Sequence, residues 1–117
     1  MKLVEIRTYK LKPDSARRFV AAFQDALPLV RESGMDVVAF GRSDHEHESF
    51  YLIRAYDDRA HLEAQQTAFY SSAAWRSGPR ELLIDCLDDY LNTLIWLSEQ
   101  SIEDLRSHNG LDKLPAA

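Results

Sequence analysis

Residues 50–56 read Phe50-Tyr51-Leu52-Ile53-Arg54-Ala55-Tyr56. Aromatic and β-branched residues followed by the turn-forming pair Asp57-Asp58 mark this stretch as a β-strand. In its middle stands Arg54, whose guanidinium keeps its charge at any ordinary pH. The face of the sheet that receives this cation, and what covers that face, decide how the rest of the chain is arranged.

Working outward, residues 2–11 alternate well enough to form a first strand. Pro13-Asp14-Ser15 signals a helix start, after which Ala16, Phe19, Val20, Phe23, Leu27 and Val30 recur at helical spacing until Gly34. Pro28 interrupts that run and predicts a kink near residues 24–27. Residues 35–42 give the second strand, and the polar loop before Phe50 makes an antiparallel hairpin with the third. A second helix is expected over 59–70, capped by Asp57 or Asp58. A short turn at 73–75 and a helix from Arg80 to about Asp88 follow.

Tyr90 to Leu97, YLNTLIWL, continues a helical spacing from Leu83 and Leu87, yet its composition favours a fourth strand. Periodicity alone does not separate the two. Ser101-Ile102-Glu103-Asp104 reads as the start of a short helix that Asn109-Gly110 would end, and a helix so short must dock on something. With the fourth strand, the order β-α-β-β-α-β is the ferredoxin-like arrangement, an α+β fold with both helices on one face of a four-stranded antiparallel sheet. One domain over 1–97 and a C-terminal tail with a short helix over 98–117 are expected.

Composition limits the function classes. Fourteen basic against nineteen acidic residues give a net charge of −5, so nucleic acid and anionic membranes are poor partners. No apolar run reaches the roughly 20 residues that span a bilayer. The N-terminus enters an alternating pattern at once, with no signal-peptide core. The single cysteine, Cys86, excludes an internal disulfide and sits among leucines as an inert core thiol. A cytoplasmic location is expected. With four glycines the chain carries no GxGxxG or P-loop, and Gly41-Arg42-Ser43-Asp44-His45 is not a nucleophile elbow.

Strand parity divides the sheet residues into two sets. Val4, Ile6, Thr8, Val37, Ala39, Gly41, Tyr51, Ile53, Ala55, Leu91, Thr93 and Ile95 are mostly apolar, with small members suited to close helix packing. The opposite set combines rings with polar groups: Glu5, Arg7, Tyr9, Phe40, Leu52, Arg54, Tyr56, Asn92 and Trp96. We expect the first set under the helices and the second on the bare face. Such a face is a larger apolar patch than monomers usually leave open, so a second copy of the sheet is expected to cover it, forming a dimeric α+β barrel with Arg54 inside.

Four segments, VEIRTYKLKP, ALPLVRESGMDVVAFG, YLIRAYDDRAH and AFYSSAAWRSGPRE, together resemble the NIPSNAP family of dimeric α+β-barrel proteins over about residues 2–97. The resemblance implies the ferredoxin-like fold, a fourth strand at 90–97 and a homodimer. It leaves the reaction open, because the wider superfamily spans cofactor-free monooxygenases, isomerases, cyclases, haem enzymes and ligand binders.

Among site candidates, Glu5 and Arg7 lie two apart on one strand face, about 7 Å from each other. With Arg54 they leave one spare positive charge, suited to a carboxylate, enolate or phenolate. The competing reading is a structural ion-pair network. Tyr9 and Tyr56 are candidates for proton handling, with Asn92 and Trp96, beside Phe40 and Leu52, offering an amide and flat apolar walls to a planar substrate. Packing alone would account for the same residues. His45 and His47 in the acidic loop 44–48 are two apart but read as solvated, so no metal site is assigned. His61 is the one helical histidine in the matched region and the weak basis of a haem reading; no cofactor is assigned. Trp75, Arg76, Gly78, Pro79 and Arg80 read as a structural corner. The expected function is a homodimer binding, and as an enzyme transforming without a cofactor, a small planar anionic or enolisable molecule, with Arg54, Arg7, Tyr9 and Tyr56 as the catalytic group. The alternative is a non-catalytic binding or scaffold protein.

Overall fold

Backbone pairing places β1 (Lys2–Leu11) at the centre of the sheet, between β3 (Ser49–Tyr56) and β4 (Leu87–Leu97), with β2 (Asp36–Arg42) outside β3. All pairings are antiparallel, in the order β2-β3-β1-β4. The structure is a computed structural model that describes residues 1–108. The ambiguous segment before Leu97 is therefore a strand, paired with β1 along its whole length. The helices are α1 (Ala16–Glu32), α2 (Arg59–Tyr70), α3 (Ala73–Ser77), α4 (Arg80–Asp85) and α5 (Glu99–His108). α1 runs through Pro28 as one element. Among the described residues no helix is long and apolar enough to cross a membrane.

On β1, β3 and β4 the two residue sets exist as read, but they face opposite ways from the expectation. Tyr9, Phe40, Phe50 and Leu52 pack with Phe19 and Phe23 of α1 and Phe69 of α2 in the main core. The rings interlock: Phe23 lies 4.9 Å from Phe40 and 5.0 Å from Phe50, and Phe19 lies 5.0 Å from Phe50. Large side chains fill the deep gap between α1 and the sheet, and aromatic burial there contributes about 2–3 kcal/mol per ring. The smaller set, Val4, Val38, Ala39, Ile53 and Ala55, does pack against a helix, but that helix is α5, through Ile102 and Leu105. Small residues on the sheet were a sign of close helix approach; the helix came from the segment read as a tail.

β2 departs from strict alternation. Val37 pairs with Arg54 and Ala39 with Ile53, leaving Val38 as an extra residue. This bulge puts Val37 and Phe40 on the α1 side and both Val38 and Ala39 on the α5 side. Parity counted through the strand therefore fails for Val37 and Val38.

Side chains set the helix ends. Asp58 accepts the His61 N–H at 2.8 Å, while His61 Nδ1 accepts the Asp57 N–H at 2.9 Å, a reciprocal cap on α2. Ser98 caps α5, accepting from Ser101 N at 3.1 Å, so the cap lies three residues before the one expected from sequence. Its expected stop at Asn109-Gly110 lies outside the described residues. Arg106 of α5 forks onto Asp36 of β2 at 2.8 and 2.6 Å. Gly34, at φ +91°, ends α1 in a left-handed conformation that a side chain rarely adopts.

Ser15 stands at the N-cap of α1 but makes no side-chain cap bond. That role passes to Glu48 from the β2–β3 loop, which accepts from Ala16 N at 2.9 Å and from Asp14 N at 2.5 Å. These backbone donors, Ala16 first, hold the Glu48 carboxyl below its usual range. A carboxyl depressed by folding stabilises the fold above its unfolded-state pKa and loses that effect as pH falls through the folded-state pKa. Glu48→Gln is therefore expected to lower Tm at pH 7, with the difference from wild type closing as pH drops below the ordinary glutamate range. Thermal melts at stepped pH check this, and a Tm gap independent of pH contradicts it.

Candidate functional site

Glu5 of β1 stands directly opposite Arg54 of β3, so both side chains leave the sheet on the helix side, with Cβ atoms about 5 Å apart. Each residue is 1 % exposed. Glu5 Oε1 accepts from Arg54 Nε at 2.8 Å, with Arg54 Nη2 at 2.7 Å. Glu5 Oε2 accepts from Arg7 Nη2 at 3.2 Å, Gln66 Nε2 at 2.9 Å and Asn92 Nδ2 at 3.1 Å. An ionised carboxylate offers about four lone-pair directions, so Glu5 is saturated from β1, β3, β4 and α2 together.

Arg7 lies opposite Asn92 in the β1–β4 register and donates to its Oδ1 at 2.8 Å. Its guanidinium sits between rings, 5.0 Å from the Tyr90 centroid and 6.0 Å from Tyr70. At the end of α2, the Tyr70 hydroxyl accepts from Arg54 Nη1 at 3.0 Å and from Arg7 Nη1 at 3.4 Å. Arg54 Nη1 also stands 3.5 Å from Met35 Sδ. Burial pulls both guanidinium pKa values down. Around Arg54 the opposing pull of Tyr70 and Glu5 wins, as Tyr9, Tyr70 and Glu5 win around Arg7, so both end raised. Burial pushes the Tyr9 phenol up to about 12, with Arg7 acting in the opposite direction. Tyr9 therefore keeps its proton throughout the neutral range.

Above this network lies a cavity of ≈420 Å³, within the range of small-molecule sites. Arg7, Tyr9, Leu52 and Arg54 form its sheet side. Phe19 and Phe23 of α1 bound one flank, and Gln66, Phe69 and Tyr70 of α2 the other. Trp75 of α3 and Arg80 of α4 complete it. Trp75 meets the Tyr70 ring edge-on at 5.3 Å and 78°. The α3–α4 corner that carries Trp75 and Arg80 turns at Gly78, where an added Cβ would stand 2.5 Å from the Ala74 carbonyl oxygen. Three arginines and no carboxylate line the cavity among the described residues.

Arg54 thus lies between the sheet and the helices, and the proposed interior shared by two sheets is replaced by a cavity inside one chain. Arg7, Tyr9, Leu52 and Arg54 are brought together there. Glu5 and Asn92 hold the arginines from beneath without lining it. Tyr56 is fully buried, with its hydroxyl accepting from Gln66 at 3.2 Å, and lies outside the lining. Phe40 belongs to the aromatic core. Trp96, 51 % exposed and opposite Leu3, is on the uncovered part of β4. His61 is engaged in the α2 cap and does not line the cavity. The His45 and His47 rings stack at 5.2 Å, and among the described residues no group of three His, Cys, Asp or Glu side chains could hold a metal.

Sequence reasoning missed Gln66 and Tyr70 and read Trp75 and Arg80 as structural. The available signal was spacing: Gln66 and Tyr70 are four apart, so one face of α2 carries an amide and a phenol where a core helix would carry two apolar residues.

A family model described as NIPSNAP matches residues 4–84. No curated protein matches the chain. Among solved structures, a NIPSNAP domain protein from Burkholderia xenovorans has a TM-score of 0.74 at 21% identity, covering 83% of this chain and 95% of that one. A NIPSNAP family protein of unknown function from Agrobacterium tumefaciens has a TM-score of 0.73 at 18% identity, covering 80% and 86%. A Bordetella bronchiseptica protein assigned provisionally as an antibiotic biosynthesis monooxygenase has a TM-score of 0.66 at 20% identity, covering 83% and 97%. At these identities the likeness is one of fold.

Breaking the buried network on one side leaves a charge without its counterpart. Glu5→Gln is expected to destabilise the protein by about 3–5 kcal/mol, read as a lower urea midpoint at unchanged m-value. The double variant Glu5→Leu/Arg54→Leu is expected to lose less than the sum of its single changes, because the two groups act as a pair. Additive losses contradict the coupling.

Proposed function

The chain belongs to the NIPSNAP family, and we propose that it holds a small planar monoanion in the cavity between β1, β3 and α2. The carrying observation is charge. A protein with net charge −5 lines this one cavity with Arg7, Arg54 and Arg80 and keeps every described carboxylate off its wall. Glu5 balances one of the two inner guanidiniums, leaving a positive surplus beside buried Arg54, where attraction is screened less than at the surface. Tyr70, Trp75 and Tyr90 supply flat faces at the same place.

A reaction on such a ligand would be of the cofactor-independent oxygenase, isomerase or cyclase type, in which charge develops on an oxygen held by preorganised donors. The monooxygenase assignment of the Bordetella protein is in keeping with that class. The second reading is binding without turnover, favoured by the commitment of Arg54 Nε and Nη1 to Glu5, Tyr70 and Met35. A cytoplasmic location fits a chain whose one cysteine, Cys86, is buried.

We assign the outer sheet face, where α5 leaves it open, to a second copy of the chain. Leu91 is 72 % and Ile95 37 % exposed there, beside half-buried Ile6 on the neighbouring strand. The edge strand β4 also presents unpaired backbone groups.

Two measurements test these readings. In a Trp96→Phe background, Trp75 is the remaining indole, and its emission is expected to change saturably with 1-naphthoate. The neutral analogue 1-naphthalenemethanol is expected to bind at least tenfold more weakly, and Arg80→Gln to weaken naphthoate by a similar factor. Equal affinity for anion and alcohol would show that the cavity does not read charge. Sedimentation equilibrium is expected to give a dimer at micromolar concentration, shifted to monomer by Leu91→Lys; a wild-type monomer removes the second-copy assignment.

A further inference from the structure

Every hydrogen bond that the Tyr70 hydroxyl makes within the described chain is one in which it accepts: from Arg54 Nη1 at 3.0 Å and Arg7 Nη1 at 3.4 Å. A phenol also has one proton to donate, and no described residue takes it. Beside it, buried Arg54 Nη2 stands 2.7 Å from Glu5 Oε1 yet out of line for a hydrogen bond, and finds no acceptor in good geometry. The whole Arg54 residue is 1 % exposed. Buried donors are almost always matched. Here the half-buried Tyr70 hydroxyl, on a side chain that lines the cavity, keeps its O–H uncommitted beside a guanidinium whose Nη2 has only the ion pair to Glu5. Gln66, the other polar side chain on that flank, is already directed to Glu5 and Tyr56.

We infer that Tyr70 is the residue that recognises the ligand's oxygen and exchanges a proton with it, and that the ligand is a phenolate or enolate. This rests on the anion-binding reading above and chooses within it. A carboxylate is far less basic than a phenolate, so a tyrosine beside it gives only a hydrogen bond. A phenolate or enolate oxygen is close to tyrosine in basicity, the condition for moving a proton easily between them. In the transfer the Tyr70 O–H bond breaks and an O–H bond forms on the ligand, converting an enolate to its enol. The negative charge passes to Tyr70 Oη, where the Arg54 and Arg7 N–H donors already point. No electron leaves or enters. Tyr9 lies in the same cavity, but burial among rings holds its proton firmly, and Tyr56 does not reach the cavity.

The probe is 4-nitrophenolate, whose visible band moves to shorter wavelength when its phenolate oxygen receives a hydrogen bond, because the ground state holds its charge there. Bound to the wild type, the band is expected to lie to the blue of its position in Tyr70→Phe, with affinity in that variant at least tenfold lower. Benzoate, which takes only a hydrogen bond from Tyr70, is expected to lose affinity by a clearly smaller factor in the same variant. Loss of both ligands by equal factors would mean that Tyr70 only braces the arginines, which overturns the inference. So would unchanged affinity and band with 4-nitrophenolate, while the anion-binding reading stood. Failure of the wild type to bind either 4-nitrophenolate or 1-naphthoate would overturn both. Because Tyr70→Phe removes an acceptor from two guanidiniums, 3-fluorotyrosine placed at position 70 provides a second variant that keeps the hydroxyl and makes it a stronger donor. It is expected to move the bound band further to the blue, and no movement overturns the inference.

Discussion

A carboxylate at position 5 that accepts from four different side chains is the constraint around which this molecule is organised. Glu5 draws Arg54 across from β3, Arg7 along β1, Asn92 from β4 and Gln66 down from α2. Removing one carboxylate and two guanidiniums from water is unfavourable unless all their hydrogen-bonding directions are answered. The strand register answers most of them, since Glu5 faces Arg54 and Arg7 faces Asn92. Gln66 and Tyr70 of α2 answer others, which fixes where that helix can lie. A cavity with a positive wall is then the space left between an anchored helix and an aromatic core that ends at Phe19 and Phe23.

Periodicity and turn chemistry made the order and type of the main elements legible, and the split between two residue sets was correct on β1, β3 and β4. What alternation does not contain is the identity of the layer on either side. Both faces of this sheet meet helices, one through large rings and the other through Val4, Ala39, Ile53 and Ala55. A small-residue face looks like a helix-packing face because it is one. Its helix, α5, was expected as a short helix that must dock on something, but it lies outside the family resemblance and local pattern does not say which face it takes. The charged face then looked bare for want of a cover, although α1 carries two phenylalanines in the right spacing to meet Phe40 and Phe50.

The candidate site was legible as a cluster but not as a place. Glu5, Arg7, Tyr9 and Arg54 share one face by parity, and that much needs no coordinates. Tyr70 and Gln66 contribute from another element, through contacts 63 and 61 residues away from Arg7 and Glu5 in sequence, which local pattern cannot pair. Tyr56 and Trp96 have the correct parity yet stand too far along their strands. Parity determines which face a side chain takes, whereas the position of helices over that face determines which part becomes a pocket.

The extra residue at Val38 shows how one strand can add to one layer without disturbing the other. Because β2 supplies Val37 and Phe40 to one core and Val38 and Ala39 to the other, its pleat is offset by one position partway along. Removing Val38 would restore regular alternation with Val37 still opposite Arg54 and Ala39 opposite Ile53, leaving Phe40 in the ring stack and taking one side chain from the layer under α5. Length change at this point therefore acts on the layer under α5, and a lineage that lost the residue would have to refill that layer alone.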